Sequence, residues 1–143
     1  MKVEGSYTFD APRDRVWSVL MDPEALKACV PGLESLTPTG ENAYEANLKV
    51  GVAAIRGSYK GTIKLTDLAE PSSYKMNVEG KGGAGFVRGV ADIELVDKGA
   101  STEVVVKGDG NVGGTVAGVG QRMLGGVAKM LMGQFFECLK KRI

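Results

Sequence analysis

The last stretch of the chain, Thr115 to Ile143, restricts what the rest can fold into more than any other. Val116, Val119, Met123, Val127, Met130, Leu131, Phe135, Cys138 and Leu139 recur mostly at steps of three and four, the spacing of one helix face. Ala117, Leu124, Ala128 and Phe136 widen that stripe. The spacing predicts one long amphipathic helix over this whole stretch. A helix with so broad an apolar face must be wrapped, and nearly everything before it reads as strands able to do so.

Five glycines, Gly118, Gly120, Gly125, Gly126 and Gly133, fall inside the expected helix. Each costs about 1 kcal/mol relative to alanine in a helix interior. The ordinary reason for such a glycine is close packing, with the sheet approaching the helix backbone. The alternative is that the glycines leave room for a ligand between helix and sheet.

Ahead of the helix, apolar and polar residues alternate with period two in several runs. Val3, Gly5, Tyr7 and Phe9 form the first. Pro12 and Asp14 then open a short helix carrying Val16, Trp17, Val19 and Leu20. Asp22-Pro23 opens a second, with Asp22 as N-cap, which stops before Pro31-Gly32. A weak strand at Leu33–Pro38 follows, then alternating runs at Tyr44–Val52, Tyr59–Leu65, Tyr74–Val78, Val87–Leu95 and Thr102–Val106. Short turns between the runs predict an antiparallel meander. The expected fold is α+β in class: a curved antiparallel sheet of about seven strands around a C-terminal helix, with two short helices after the first strand.

Composition narrows the chemistry. The 143 residues are expected to form one domain, 1–143, able to bury roughly 68–70% of its unfolded surface. Eighteen Lys and Arg against 17 Asp and Glu give a net charge near zero, which argues against nucleic acid as a partner. The absence of histidine removes the Ser-His-Asp and Cys-His nucleophile systems and the usual zinc sites. No catalytic group, metal or cofactor is expected. Met1-Lys2-Val3-Glu4-Gly5 lacks the apolar run of a signal peptide, so the expected location is cytoplasmic. In that setting Cys29 and Cys138 are expected to be free thiols.

Local motifs fill in this outline: Val30-Pro31-Gly32, Arg56-Gly57-Ser58-Tyr59-Lys60-Gly61, Pro71-Ser72-Ser73-Tyr74, Gly83-Ala84-Gly85-Phe86-Val87-Arg88-Gly89, Gly113-Gly114, Gly120-Gln121-Arg122 and Phe135-Phe136. In sequence and spacing they resemble the G-subunit family of carbon monoxide dehydrogenase, within the START-like (Bet v 1-like, SRPBCC) superfamily with its helix-grip fold. The resemblance implies a non-catalytic accessory protein. Its partner would be a molybdenum hydroxylase of the carbon monoxide dehydrogenase type. It also implies an apolar small molecule, a lipid or quinone, held between sheet and helix. Some family members carry an apolar C-terminal extension with no counterpart after Ile143, so at most peripheral contact with the inner membrane face is expected. The alternatives are a structural adaptor without ligand and a small cyclase-like enzyme of the same fold.

Candidate ligand-binding residues are those on the inner faces of the expected elements. From the strands come Tyr44, Leu48, Tyr59, Ile63, Tyr74, Met76 and Val87, with Phe86 at the lip of a flexible Gly80–Gly85 loop that could gate the cavity. From the helix come Met123, Leu124, Val127 and Leu131. The ordinary reading of most of these side chains is core. Gln121 and Arg122 are placed to reach a ligand head group, and Arg88 to point outward. Lys140-Lys141-Arg142 complements the helix dipole or forms a weak basic foot for an anionic surface. Among the carboxylates, Asp22, Glu24, Asp92 and Glu94 fall on turns or outward strand positions.

Overall fold

The expected alternation becomes a single seven-stranded sheet in the computed structural model, which describes residues 1–52 and 55–143. The elements are β1 (Lys2–Phe9), α1 (Arg13–Leu20), α2 (Pro23–Cys29), β2 (Leu33–Gly40), β3 (Ala43–Val50), β4 (Gly57–Ala69), β5 (Ser73–Gly82), β6 (Gly85–Asp97) and β7 (Thr102–Gly113). A 3-10 turn (Gly114–Val119) and the helix α3 (Gln121–Lys140) complete the chain. Strand order is β1-β7-β6-β5-β4-β3-β2, antiparallel throughout. The sheet is a meander except at one place: β1 pairs with the last strand, and α1 and α2 carry the chain across to the opposite edge.

The strands outrun their apolar residues. β5 continues to Gly82 and β6 begins at Gly85, so the expected Gly80–Gly85 loop is a two-residue hairpin turn, too short to gate anything. β7 runs to Gly113, past the last valine of its alternating run. Backbone hydrogen bonds hold these extensions without side chains.

The expected helix is divided. Gly120 sits at φ +95°, a conformation that L side chains rarely adopt, and it ends the helical path on its N-terminal side. Before it, Thr115–Val119 lie in the 3-10 turn, whose Val116 is buried and donates its N–H to the Ala84 carbonyl at 2.8 Å. Gly118 and Gly120 therefore lie outside α3.

The core sits at the C-terminal end of α3. Leu139 is fully buried, and Phe136 stacks on Tyr7 at 4.3 Å and meets Phe9 edge-on at 6.2 Å. Each such side chain contributes about 1.5–3 kcal/mol on burial, and each aromatic pair about 0.5–1.5 kcal/mol more. Val16, Leu20, Leu95 and Val104 close the cluster. Thr102, its buried polar residue, donates to the Ala11 carbonyl at 2.8 Å, tying the start of β7 to the chain leaving β1.

Cys29 and Cys138 are joined by a disulfide, against the expectation of free thiols. The last turn of α2 lies against α3 and brings the two Cα atoms to 5.4 Å, which is bonding geometry. Sequence distance hides this, since 109 positions separate the two cysteines. A crosslink closing so long a loop contributes on the order of 4 kcal/mol by restricting the unfolded chain. Cys29→Ser, and the wild type under reductant, should show closely similar lowered urea midpoints. Coincidence of both with the oxidised wild type would show that the bond does not form.

Candidate functional site

Pairing register places the concave-face residues in rows across the sheet. The lowest rows are large: the half-buried Tyr7 with buried Val104 and Leu95 in one, then buried Val106, Ile93 and Tyr74 with Gly5 at the edge. Gly5 is close-packed, since a Cβ there would lie 2.8 Å from the Met132 side chain. Above this the side chains shrink. The next row reads Val3, Gly108, Ala91, Met76 and Leu65; then Gly110, Gly89, Val78, Ile63 and Tyr44; then Val112, Val87, Gly80, Gly61 and Ala46. Tyr59 and Leu48 stand in the row above, beside Gly82.

Small residues thus cut a trough through the middle of the concave face. The glycines in it have two physical causes. A Cβ on Gly61 would collide with the Glu79 carbonyl, and one on Gly110 would lie 3.1 Å from that of Arg88, so these two let neighbouring backbones crowd together in the bent sheet. A Cβ on Gly80 would meet nothing within 4 Å, so there the missing side chain leaves open space.

The helix backbone comes closest to other elements. Among the described residues its close approaches are to β1, α2 and the 3-10 turn rather than to β3–β6. Gly125 shares the flank of Met132 and Phe136, at the 100° per residue of an α-helix, and has open space where its Cβ would be. Gly126 and Gly133 lie about 80–100° further round the helix, also with nothing within 4 Å. Close packing by the sheet therefore explains none of the three glycines of α3.

The candidate residues divide accordingly. Leu48, Tyr59, Ile63, Met76 and Val87 line the upper concave face and remain half-buried, as do Val127 and Leu131 on the helix. Tyr44 and Leu124 are buried at the margins of the trough. Tyr74 belongs to the core, edge-on to Trp17 at 5.4 Å. Phe86 and Met123 are elsewhere. Phe86 alternates onto the convex face and is 44% exposed, because the tight hairpin fixes its register; Met123 is 57% exposed, off the inward stripe of α3. Gln121 and Arg122 are exposed at the start of α3. The sequence reading passes over Val3, Ala46, Val78, Ala91 and the trough glycines. Several of these stand in the alternating runs but are too small to suggest a ligand contact on their own.

Polar groups near the trough are few. The Tyr59 hydroxyl donates to the Ile55 carbonyl at 2.7 Å, and burial raises its phenol pKa. The carboxylates have structural duties outside it: Asp22 accepts from the Glu24 N–H at 3.0 Å to cap α2, and Asp92 pairs with Lys75 at 3.0 Å on the convex face. Among the described residues no three His, Cys, Asp or Glu side chains gather as a metal site, and no helix is long and apolar enough to cross a membrane.

Comparison with known proteins agrees with this geometry. The family described as the G subunit of carbon monoxide dehydrogenase (CoxG) matches residues 5–143. A conserved protein of Geobacillus kaustophilus is 41% identical in sequence, with a TM-score of 0.96 over 99% of this chain and 94% of its own. A START superfamily protein of Mycobacterium smegmatis shares the fold at 15% identity (TM-score 0.77, 99% of this chain, 96% of that one). So does a Streptomyces aromatase/cyclase at 18% identity (TM-score 0.72, 99% and 92%). No curated protein matches.

Burial raises the pKa of Tyr74 strongly, and burial is also the main cause of the smaller rises at Tyr7 and Tyr59. The folded state keeps these protons where the unfolded chain, titrating near pH 10, releases them. The stabilisation is complete below pH 10 and is lost as pH rises further, by up to about 1.4 kcal/mol per pH unit for the buried Tyr74 and by less for the partly solvated Tyr7 and Tyr59. Urea titrations from pH 9 to 11.5 should show this decline, and Tyr74→Phe should make it shallower. An unchanged slope would mean that the Tyr74 phenol ionises freely in the folded protein.

Proposed function

Because the chain belongs to the CoxG family of carbon monoxide dehydrogenase, we propose that it is a non-catalytic accessory protein of a carbon monoxide dehydrogenase-type molybdenum hydroxylase. It holds an apolar small molecule, a lipid or a quinone, in the trough between sheet and helix. The observation that carries this reading is the change in the concave face above the row of Tyr74, Ile93 and Val106. Below it the side chains are mostly large and buried; above it glycine and alanine interrupt the rows, and Val78, Ile63, Met76 and Val87 are only half-buried.

An apolar lining with a few polar groups at its edge suits a hydrophobic ligand. It suits acid–base chemistry poorly, because Asp22 and Asp92 are engaged elsewhere. Removing an apolar ligand from water contributes about 25 cal/mol per Å² of surface covered, which is enough to hold cargo without a charged anchor.

Gently purified protein, extracted with organic solvent and analysed by mass spectrometry, should yield one apolar compound at near-stoichiometric amount. Gly80→Leu should fold with unchanged or higher thermal stability, since its side chain enters open space, and should lose the compound. An empty extract from the wild type, even after lipids and quinones are supplied, would favour an adaptor working through its surface. Equal yield from Gly80→Leu would place the ligand outside the trough.

A further inference from the structure

We infer that the convex face of β4–β6 is a docking groove for an acidic segment of a partner protein that also presents an apolar side chain. This does not depend on whether the trough on the other face holds a ligand. Register puts Lys60 of β4 directly opposite Lys81 of β5, and Lys81 directly opposite Phe86 of β6, all pointing away from α3. Directly opposed residues in an antiparallel pair have Cβ atoms about 4.5–5.5 Å apart, and like charges there repel. Neither lysine has a carboxylate within 4 Å among the described residues. The neighbouring cation, Arg88, is already paired with Glu79 at 3.1 Å. The fold therefore holds two uncompensated ammonium groups side by side against an aromatic ring that is 44% exposed.

These residues line one groove of about 420 Å³, with Glu45 and Glu79 among its other walls. Three cations face two carboxylates there, and one of those carboxylates is spent on Arg88. The charge left over is positive and lies at the Lys60–Lys81 end, next to the ring. A carboxylate between the two lysines relieves their repulsion, while an adjacent apolar side chain covers Phe86. Val90, 42% exposed and further along the same face, extends the apolar surface. The groove crosses from β3 to β6 and lies open on the outside of the sheet, whereas small-molecule sites enclose most of their ligand. Open, basic and centred on an aromatic side chain, it fits a chain segment from a partner.

The test is a nuclear magnetic resonance titration of the full chain with a synthetic acidic hexapeptide carrying one phenylalanine. The same peptide with lysine at each acidic position, and 2-naphthoate, serve as comparisons. The acidic peptide should shift the amides of Lys60, Lys81 and Phe86, and the lysine peptide should not. Binding should weaken at least tenfold in the Lys60→Glu, Lys81→Glu double variant, severalfold in Phe86→Ser, and with added salt. All three side chains point outward, and unchanged spectra elsewhere would show that the variants fold. Shifts confined to other surfaces, or equal affinity in the double variant, would overturn the proposal. Binding of 2-naphthoate as tight as the peptide's would also overturn it, by making the groove a site for small aromatic acids.

Discussion

The arrangement depends on how one end of a helix is held. The last two turns of α3 drive Phe136 and Leu139 between β1, α2 and the lower concave face, and Cys138 is bonded to Cys29 beside them. Apolar burial, aromatic stacking on Tyr7 and Phe9, and a covalent link all act within these turns. The other end of the helix starts at a glycine in the left-handed region and buries Leu124 in its first turn. Between its ends the helix presents Gly125, Val127 and Leu131, all half-buried, on the same side of the sheet as the small residues of the trough.

The sheet is graded to match. Its lower rows carry Leu95, Val104, Val106, Ile93 and Tyr74, which fill the interior at the fixed end. Its upper rows carry glycine or alanine on five adjacent strands, β3 to β7. Some of these glycines serve curvature, as at Gly61, and some serve volume, as at Gly80. On the opposite face side chains wall a separate groove, so the strands β4 to β6 present two distinct chemistries, apolar inward and basic with an aromatic outward.

Much of this is legible in the residues. Period-two alternation locates every strand, proline and aspartate mark both short helices, and the helix-grip order with its family follows from the motifs. Alternation also puts Tyr44, Leu48, Tyr59, Ile63, Met76 and Val87 on the concave side, where the structure has them, because it fixes the face of a strand residue regardless of the fold around it. Phe86 and Met123 are misplaced by the sequence for opposite reasons. The glycines around Phe86 read as a loop but form a two-residue hairpin turn, so its side depends on register. Met123 falls within an apolar stripe that is wider than the one buried.

Neighbours within a few positions dictate the strand and helix periods and the face of each strand residue, while composition alone gives the charge balance and the lack of histidine. Those properties are readable without a fold. The meeting of Cys29 and Cys138, the break at Gly120, the purpose of each glycine and the juxtaposition of Lys60, Lys81 and Phe86 are not. Each of these is a relation between residues distant in the chain or between backbones in space, and it exists only once the chain has folded. A glycine in a sequence is only a missing side chain; whether it marks contact or emptiness depends on what the fold brings opposite it.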